Sequence, residues 1–219
     1  MTHKHLHTAE DGITRCWWGK DHLDYRNYHD VEWGRPVSKD FRLFEKICLE
    51  GFQSGLSWLT ILRKRENFRH AFAGFDFNKI TDFDDNNVSQ LLQNSGIIRH
   101  RGKIEATINN AHRALEIVEE FGSLAAYIWG WEPASPEPHI GKGEYSHPIP
   151  SITRTSQLLS KDLKNRGWEF IGPTTAYAFM QAMGLVNDHM EGCGIREIVE
   201  SMRSEFEPPN QQFFGQSSD

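Results

Sequence analysis

The chain has 219 residues, a formal net charge of −6 at pH 7, and 38% hydrophobic and 25% charged residues. These values suit a globular protein with a sizeable core, and no apolar run approaches the roughly 18 residues that a membrane span needs. The N-terminus, MTHKHLHTAEDG, is polar and does not resemble a signal peptide. Three cysteines without an export signal favour a reducing compartment, so we expect a cytoplasmic protein with no membrane attachment.

The acidic net charge argues only weakly against nucleic-acid binding, because such binding depends on a local basic patch rather than on the whole chain. Two short segments are basic, RKRENFRH at 63–70 and RHRGK at 99–103, whereas DFDDNN at 82–87 is acidic. A short charged run is more often a solvated surface than a binding site. The charge distribution therefore leaves a nucleic-acid interface open without requiring one.

Helical patterns account for most of the chain. In residues 104–121 apolar side chains recur every three or four positions, and Gly122 follows as a stop signal. Ser57 and Asp84 are predicted N-caps of two further helices, since their side-chain oxygens can accept hydrogen bonds from free amides. No segment alternates convincingly between apolar and polar residues, so strands should be few or absent. Residues 132–155 carry five of the nine prolines and are predicted to be a long surface connection.

Cys16, His29, His189 and Cys193 offer four donors for a metal ion. Two cysteines and two histidines make a complete tetrahedral zinc set with no open position, which is typical of a structural site. Such a site would close a very long loop of the chain and so remove much of its conformational entropy. The spacing alone is a weak signal, because a histidine and a cysteine four residues apart are common by chance. A buried cysteine beside unrelated surface histidines remains the alternative.

The segment LLQNSGIIRHRGKIEATI lies between two helical patterns and contains a candidate anion site. Gly96 permits a left-handed backbone and a tight turn, and Ile97 would anchor that turn in the core. Arg99, Arg101 and Lys103 would bring positive charge to a helix start, where unpaired amides also favour anions. This arrangement can hold a DNA backbone without reading bases. An ordinary interhelical turn with basic residues is equally compatible with the pattern.

Aromatic residues crowd the N-terminal third of the chain, and Glu50 lies among them, one residue before Gly51 at the predicted end of a helix. A carboxylate there is disfavoured by the helix dipole, and an unfavourable placement is common for functional residues. A purine turned out of a duplex needs flat surfaces and a hydrogen-bond partner, which this cluster could supply. The alternative is a half-solvated carboxylate at a helix end. The aromatic residues are Trp17, Trp18, Tyr25, Tyr28, Trp33, Phe52 and Trp58.

Several of these stretches occur together in one known family. LEGFQSGLSW, GIIRHRGKI, RGWEFIGPTTAYAFMQAMGLVNDH and the four candidate metal ligands resemble 3-methyladenine DNA glycosylase I over about residues 15–193. The resemblance implies an all-α, helix–hairpin–helix glycosylase fold in which a structural zinc ion, one per chain, tethers the N- and C-terminal regions. We expect a disordered tail at 1–14, a single helical domain with two lobes at 15–194, and a partly disordered extension at 195–219.

The resemblance also implies an activity and a set of site residues. It implies a monofunctional enzyme that hydrolyses the N-glycosidic bond of 3-methyladenine in alkylated double-stranded DNA, releases the free base and acts as a monomer. Glu50 would recognise the base as the catalytic-site carboxylate, Tyr28 and Trp58 would stack on it, and Trp18 would lie at the mouth. Zinc would be held by the four ligands named above. The DNA-gripping residues would be Gly96, Ile97, Arg99, Arg101, Gly102 and Lys103.

Two other classes of function are compatible with parts of the sequence. A DNA- or base-binding protein without catalysis would keep the pocket and lack excision. A zinc hydrolase using His29 and His189 is disfavoured, because four protein ligands leave no position for water. Trp17 departs from the family pattern, in which a small residue is expected, and its bulk could alter the mouth of the pocket.

Overall fold

A computed structural model describes residues 5–20, 22–140 and 149–209. Within these ranges the chain is mainly helical, as the sequence predicts. A small antiparallel sheet of β1 (Leu6–Thr8) and β2 (Thr14–Cys16) comes first, and two short 3₁₀ turns lie at Trp17–Gly19 and Ala73–Phe75. The helices are α1 (Leu23–Val31), α2 (Asp40–Gln53), α3 (Trp58–Ala71), α4 (Phe77–Ile80), α5 (Asp85–Gln93), α6 (Arg101–Phe121), α7 (Leu124–Trp129), α8 (Arg154–Asn165), α9 (Pro173–Ala182) and α10 (Arg196–Ser204).

Helix α2 lies at the centre of the bundle and contacts α3, α6, α7 and α9. Every residue from Leu43 to Phe52 is buried, so the helix has no solvent face over this stretch. The core around it is rich in phenylalanine, and the rings of Phe52 and Phe68 pack 4.6 Å apart. Because α2 is enclosed on all sides, its charged residues must find partners inside the protein.

The predicted helix caps at Ser57 and Asp84 and the predicted helix stop at Gly122 are confirmed. The Ser57 hydroxyl accepts a hydrogen bond from the amide of Thr60, and Asp84 forms a capping box with Asn87 at the start of α5. Gly122 ends α6 with a left-handed backbone, at a φ of 84°. Helix α2, in contrast, continues past the predicted stop at Gly51 and ends at Gln53.

The prediction of a disordered N-terminal tail is wrong for the described part of residues 1–14. Leu6 pairs with Cys16 and Thr8 with Thr14, and the two threonine hydroxyls lie 2.8 Å apart. Three-residue strands are too short to produce a recognisable alternation, which is why the sequence did not reveal them. Leu6 is held by packing against the cluster that includes Cys16 and Cys193. Residues 1–4 lie outside the described ranges.

The C-terminal segment is also structured beyond the predicted domain boundary at residue 194. Ile195 and Val199 are buried in the same cluster as Cys16 and Cys193, so α10 belongs to the packed unit. The remaining domain division stays a prediction, and residues 210–219 lie outside the described ranges.

The predicted surface connection at 132–155 contains no helix or strand in its described part until α8 begins at Arg154. The amide of Ile140 donates to the carbonyl of Ile152 over 2.8 Å, which brings the two sides of the connection together. Residues 141–148 of this connection lie outside the described ranges. Among the described residues, no helix is both long and apolar enough to cross a membrane.

Gly184, just after α9, is predicted to be intolerant of any side chain. Its φ is +82°, and an added Cβ would lie 2.5 Å from the nitrogen of Pro36 and 2.6 Å from the carbonyl carbon of Arg35. We expect Gly184→Ala to lower the free energy of unfolding by about 3 kcal/mol or more, because backbone atoms cannot rotate away. Urea unfolding followed by circular dichroism measures this loss.

Gly74→Ala is the matched control, since Gly74 has a similar φ of +72° but nothing within 4 Å of an added Cβ. The free energy of unfolding should fall only by the cost of placing alanine in a left-handed backbone conformation, about 1–2 kcal/mol. Equal losses in the two variants would show that the close approach at Gly184 does not matter.

Candidate base pocket, metal cluster and hairpin

A cavity of about 380 Å³ opens between α1, α2, α3, α9 and the segment at 149–151. It brings together all four residues predicted for base binding, Trp18, Tyr28, Glu50 and Trp58. Its walls are mainly aromatic and apolar, with few polar groups, which is typical of a small-molecule site. The lining residues are Trp17, Trp18, Tyr25, Tyr28, Trp33, Glu50, Gln53, Trp58, Ile149, Pro150, Ser151, Thr174, Tyr177, Ala178 and Gln181.

Glu50 is buried in α2, with 6% of its surface exposed. The prediction that Glu50 lies at the end of the helix is wrong, because α2 continues to Gln53. Its Oε1 lies 2.7 Å from the Nζ of Lys46, one helical turn earlier. Burial of both partners makes this a desolvated ion pair, in which loss of either charge would leave the other uncompensated.

Lys46 was missed by the sequence analysis. Its ammonium donates a hydrogen bond to the Tyr28 hydroxyl over 2.8 Å and lies 3.3 Å from the centroid of the Trp58 ring. Burial lowers the pKa of Lys46 to about 8, although the charge of Glu50 acts in the opposite direction. Burial and the charge of Glu50 raise the pKa of the Tyr28 hydroxyl well above its usual value. The sequence feature that could have pointed to Lys46 is its four-residue spacing from Glu50, but such pairs are common on solvated helices.

The aromatic side chains form a continuous wall. The rings of Tyr28 and Trp58 are 5.3 Å apart and tilted by 49°. Trp18 packs edge-on against Trp33 at 4.9 Å and against the imidazole of His29 at 5.0 Å. Trp18 therefore contacts the pocket on one side and the candidate metal cluster on the other.

A second polar group on the far wall was also missed by the sequence analysis. The Tyr177 hydroxyl donates to Oδ2 of Asp188 over 2.7 Å, and the Gln181 amide donates to the same oxygen over 2.8 Å. Burial raises the pKa of Tyr177, and the neighbouring charge of Asp188 adds to this effect. The hydrogen bonds fix the orientation of both side chains at the cavity wall.

The four predicted metal ligands converge at one buried point. Ligand atoms of Cys16, His29, His189 and Cys193 all lie within 4.8 Å of one another. Nε2 of His29 is 3.2 Å from Nδ1 of His189, and the Cys193 Sγ is 3.6 Å from the former and 3.7 Å from the latter. Two thiols and two imidazoles are the donor set that zinc prefers in closed tetrahedral sites.

The other ring nitrogens of the two histidines are held by neighbouring groups. Nδ1 of His29 lies 2.8 Å from Oδ1 of Asp30, and Nε2 of His189 lies 3.0 Å from the carbonyl oxygen of Trp33. Because these nitrogens donate hydrogen bonds, Nε2 of His29 and Nδ1 of His189 each keep a lone pair, and both lone pairs point into the cluster. The Arg15 guanidinium binds both oxygens of Asp30 at 2.7–2.9 Å. Burial alone would raise the pKa of Asp30, but the bonds from Arg15 and His29 outweigh it and lower that pKa.

The predicted hairpin lies between α5 and α6, with Ile97 buried as expected. Gly96 does not have a positive φ, so the predicted reason for this glycine is wrong. A Cβ there would lie 2.9 Å from Oδ1 of Asn94 and 3.0 Å from Cγ of Asn67, so space rather than backbone conformation requires glycine. Lys64 fixes the turn by donating to the carbonyl of Ser95 over 2.8 Å.

The basic residues of the hairpin have two different environments. Arg99 is exposed, and Arg101 is exposed beside Glu105, at 3.0 Å. Gly102 lies close to the His100 ring, 3.4 Å from where a Cβ would be. Lys103 is buried, and its Nζ donates to the carbonyls of Phe52 and Ser54 over 2.8 and 2.6 Å. The sequence predicts that Lys103 contacts DNA phosphates. Its ammonium instead donates to carbonyls at the C-terminal end of α2, so the side chain is not available for that contact.

Comparison with known proteins agrees with this arrangement. The methyladenine glycosylase family profile matches residues 17–197. The chain belongs to the methyladenine glycosylase family. A curated relative, DNA-3-methyladenine glycosylase 1 of Escherichia coli (strain K12), is 45% identical over 181 residues, which are 83% of this chain and 96% of that protein. The DNA-3-methyladenine glycosylase of Haemophilus influenzae is 46% identical over 82% of this chain and 96% of its own length.

Solved structures of the family have the same fold. The crystal structure of a 3-methyladenine DNA glycosylase I matches with a TM-score of 0.74 and 47% identity, over 82% of this chain and 98% of that one. A structure from Staphylococcus aureus, described by its recognition of 3-methyladenine, matches with the same TM-score at 35% identity, over 82% and 94%. The β1–β2 hairpin of this glycosylase-family chain lies before the matched residues of the family profile.

Lys103→Met should destabilise the glycosylase fold. The substitution keeps an unbranched side chain, one heavy atom shorter, but leaves the carbonyls of Phe52 and Ser54 without their donor. We expect a loss of about 2 kcal/mol in the free energy of unfolding, the scale of a hydrogen bond to a charged group. Lys79→Met is the control, because Lys79 is 69% exposed and should change stability by less than about 0.5 kcal/mol. A Lys103→Met protein as stable as the control would contradict the assigned role.

Proposed function

We propose that the aromatic cavity binds 3-methyladenine turned out of alkylated DNA, with Glu50 as its polar contact. The chain is a DNA-3-methyladenine glycosylase, a hydrolase of the N-glycosidic bond, by its family and by the curated relatives that carry this name. The observation that carries the assignment of the pocket is a buried ion-paired carboxylate set among closely packed aromatic rings.

The chemistry of the substrate explains why the protein needs to supply little acid catalysis. Methylation at N3 makes the base formally cationic and hence a good leaving group. When the bond between N9 and C1′ breaks, both electrons go to the base, which leaves neutral. A water oxygen then bonds to C1′ and its proton passes to solvent. This hydrolysis leaves an abasic site and requires no covalent bond to the protein.

Recognition of the cationic base would come from two kinds of contact. Stacking against the ring of Tyr28 or Trp58 contributes about 0.5–2 kcal/mol of cation–π attraction per contact. The Glu50 carboxylate would accept a hydrogen bond from the exocyclic amine, at about 1.5–3 kcal/mol for a charge-assisted bond. Glu50 would in this way recognise and stabilise the cation rather than remove a proton from water.

We assign the Cys16, His29, His189 and Cys193 cluster to a structural zinc ion. The support is the mutual distance of at most 4.8 Å, the complete burial of both histidines and the directed lone pairs of their rings. When bound, zinc would crosslink the N-terminal region, through Cys16 and His29, to the segment after α9, through His189 and Cys193. Four protein donors leave no position for water, which argues against a zinc hydrolase.

The hairpin between α5 and α6 would hold the DNA backbone. Exposed Arg99 and Arg101 would contact phosphates, and the absence of side chains at Gly96 in the turn and at Gly102 in the first turn of α6 would let backbone approach the duplex closely. Such contacts are independent of base sequence, as a scanning repair enzyme needs. A monomer suffices for this mode of binding, and we propose that state. The cytoplasmic location predicted from the cysteines stays a prediction.

The first test is release of free 3-methyladenine from methylated DNA, measured by chromatography. We expect release by the wild type, and a loss of about tenfold to a hundredfold in Glu50→Gln, the cost of one charge-assisted contact. Glu116→Gln is the control, because Glu116 is 54% exposed on α6, where it pairs with Arg113.

Binding of the free base to Glu50→Gln separates recognition from chemistry. If Glu50→Gln binds 3-methyladenine as tightly as the wild type but does not excise it, Glu50 acts in the chemical step. If a folded, zinc-loaded wild type binds the base and releases none from DNA, the protein is a binding protein without catalysis. The bulk of Trp17 at the cavity would then be the first place to look.

Asp30→Asn should weaken zinc binding without touching a ligand. The variant loses the carboxylate that orients His29, and such changes typically cost about tenfold to a hundredfold in metal affinity. Competition with a coloured chelator measures the zinc affinity directly. Asp24→Asn on the same helix is the control, since Asp24 is 48% exposed and pairs with Arg63 of α3 rather than with His29. Equal zinc affinities in the two variants would refute the orienting role of Asp30.

A further inference from the structure

Lys46 contacts three of the groups that the proposed function needs. Its Nζ lies 2.7 Å from Oε1 of Glu50, 2.8 Å from the Tyr28 hydroxyl and 3.3 Å from the centroid of the Trp58 ring. The side chain is 5% exposed. A lysine this deeply buried is uncommon unless a specific partner requires it.

Lys46 reaches these groups from behind the cavity. It does not line the 380 Å³ cavity but lines a smaller one of about 150 Å³, and Tyr28 and Trp58 form the wall between the two. Glu50 lines only the larger cavity. Lys46 is therefore placed to act on Glu50 and the rings rather than on the base itself.

We propose that Lys46 is the positioning residue that keeps Glu50 ionised and fixes its carboxylate, with Oε1 on the ammonium and Oε2 left for the base. The inference rests on the proposed function and deepens it, because it says why a carboxylate can stay charged in an aromatic pocket. Burial among apolar rings favours the neutral, protonated carboxyl, which would be a poorer acceptor for the base. An ammonium within hydrogen-bond distance reverses that preference.

Most of the surrounding charged residues form ion pairs with one another. Arg65 binds both oxygens of Glu32 at 2.6 and 2.8 Å, and Glu45 is bound by Arg42 at 2.6 Å and by Arg69 at 2.8 Å. Lys46 is therefore the cation that pairs directly with Glu50 in the part of the chain that is described. The charged residues lining the smaller cavity are Glu32, Arg35, Arg42, Glu45, Lys46 and Arg65.

The protonation state of Lys46 at neutral pH is compatible with this role. Burial lowers the pKa of Lys46 to about 8, with Glu50 opposing the effect, so the ammonium keeps its proton at pH 7. Below that pKa the pair consists of an ammonium and a carboxylate. A neutral replacement for Lys46 would leave the buried Glu50 carboxylate without the cation that pairs with it directly.

The test compares Lys46→Met with Lys46→Arg, and uses Lys79→Met as the control for the same change at an exposed site. One measurement is the carboxyl chemical shift of Glu50 in ¹³C-labelled protein, without DNA, from about pH 5 to about pH 9. The other is single-turnover excision of 3-methyladenine from methylated DNA over the same pH range, taken as the ratio of variant to wild type.

In Lys46→Met we expect Glu50 to be protonated at acidic pH and excision to fall at least tenfold there, with recovery as pH rises and the carboxyl ionises. Lys46→Arg should retain the wild-type profile, because its guanidinium keeps the charge. The double variant Lys46→Met/Glu50→Gln should excise no more slowly than Glu50→Gln alone, since Lys46 acts through Glu50. This double variant also lacks the uncompensated carboxylate, so it remains usable if Lys46→Met does not fold.

Three results would overturn the proposal. They are a Glu50 carboxyl that titrates in Lys46→Met as in the wild type, a pH-independent loss of excision in that variant, and additive losses in the double variant. The carboxyl titration needs no activity. A wild type that releases no base would refute the proposed function, and the titration would still decide the role of Lys46.

Discussion

The enclosure of α2 is the constraint on which the rest of the structure depends. Ten successive residues, Leu43 to Phe52, are buried, and three of them carry a charge. Glu45 is neutralised from outside by arginines of α2 and α3, whereas Lys46 and Glu50 neutralise each other. One buried helix thus contains both a structural ion-pair network and the polar contact of the pocket. The same packing that excludes water from the core would strengthen the contact that we propose between the Glu50 carboxylate and a cationic base.

The pocket and the candidate metal cluster share side chains and a helix. Trp18 touches the imidazole of His29 on one side and lies 6.3 Å from the ring of Tyr28 on the other. Tyr28 and His29 are also neighbours on α1, so one helix supplies a wall of the pocket and a ligand of the cluster. A rigid cluster would hold the aromatic wall in place at the distance that stacking on a base requires.

Sequence alone was informative where a residue's role depends on its own chemistry. The caps at Ser57 and Asp84 could be predicted in this way, because their side-chain oxygens suit the free amides of a helix start. The convergence of Cys16, His29, His189 and Cys193, and of the aromatic residues around Glu50, was expected mainly from the family resemblance, because the Cys and His spacing alone is a weak signal. Lys46 and Lys103 could not be predicted, because a lysine on a helix is normally solvated and only the packing around α2 turns these two inward. Gly96 is a related case, because an added Cβ there would come too close to Asn67, which lies on another helix.

The N-terminal hairpin changes where the folded unit begins. The family profile starts at Trp17, but Cys16 lies one residue earlier, and Leu6 of β1 packs on the same cluster. At the other end, Val199 of α10 is buried there although the profile stops at residue 197. Sequence families are delimited by what relatives share, whereas a cooperative unit is delimited by what must be buried together. A fragment cut at the family limits would lose Cys16, a proposed metal ligand, together with Leu6 and Val199 of the same apolar cluster, so the packed unit of this chain is longer than the region that its relatives share.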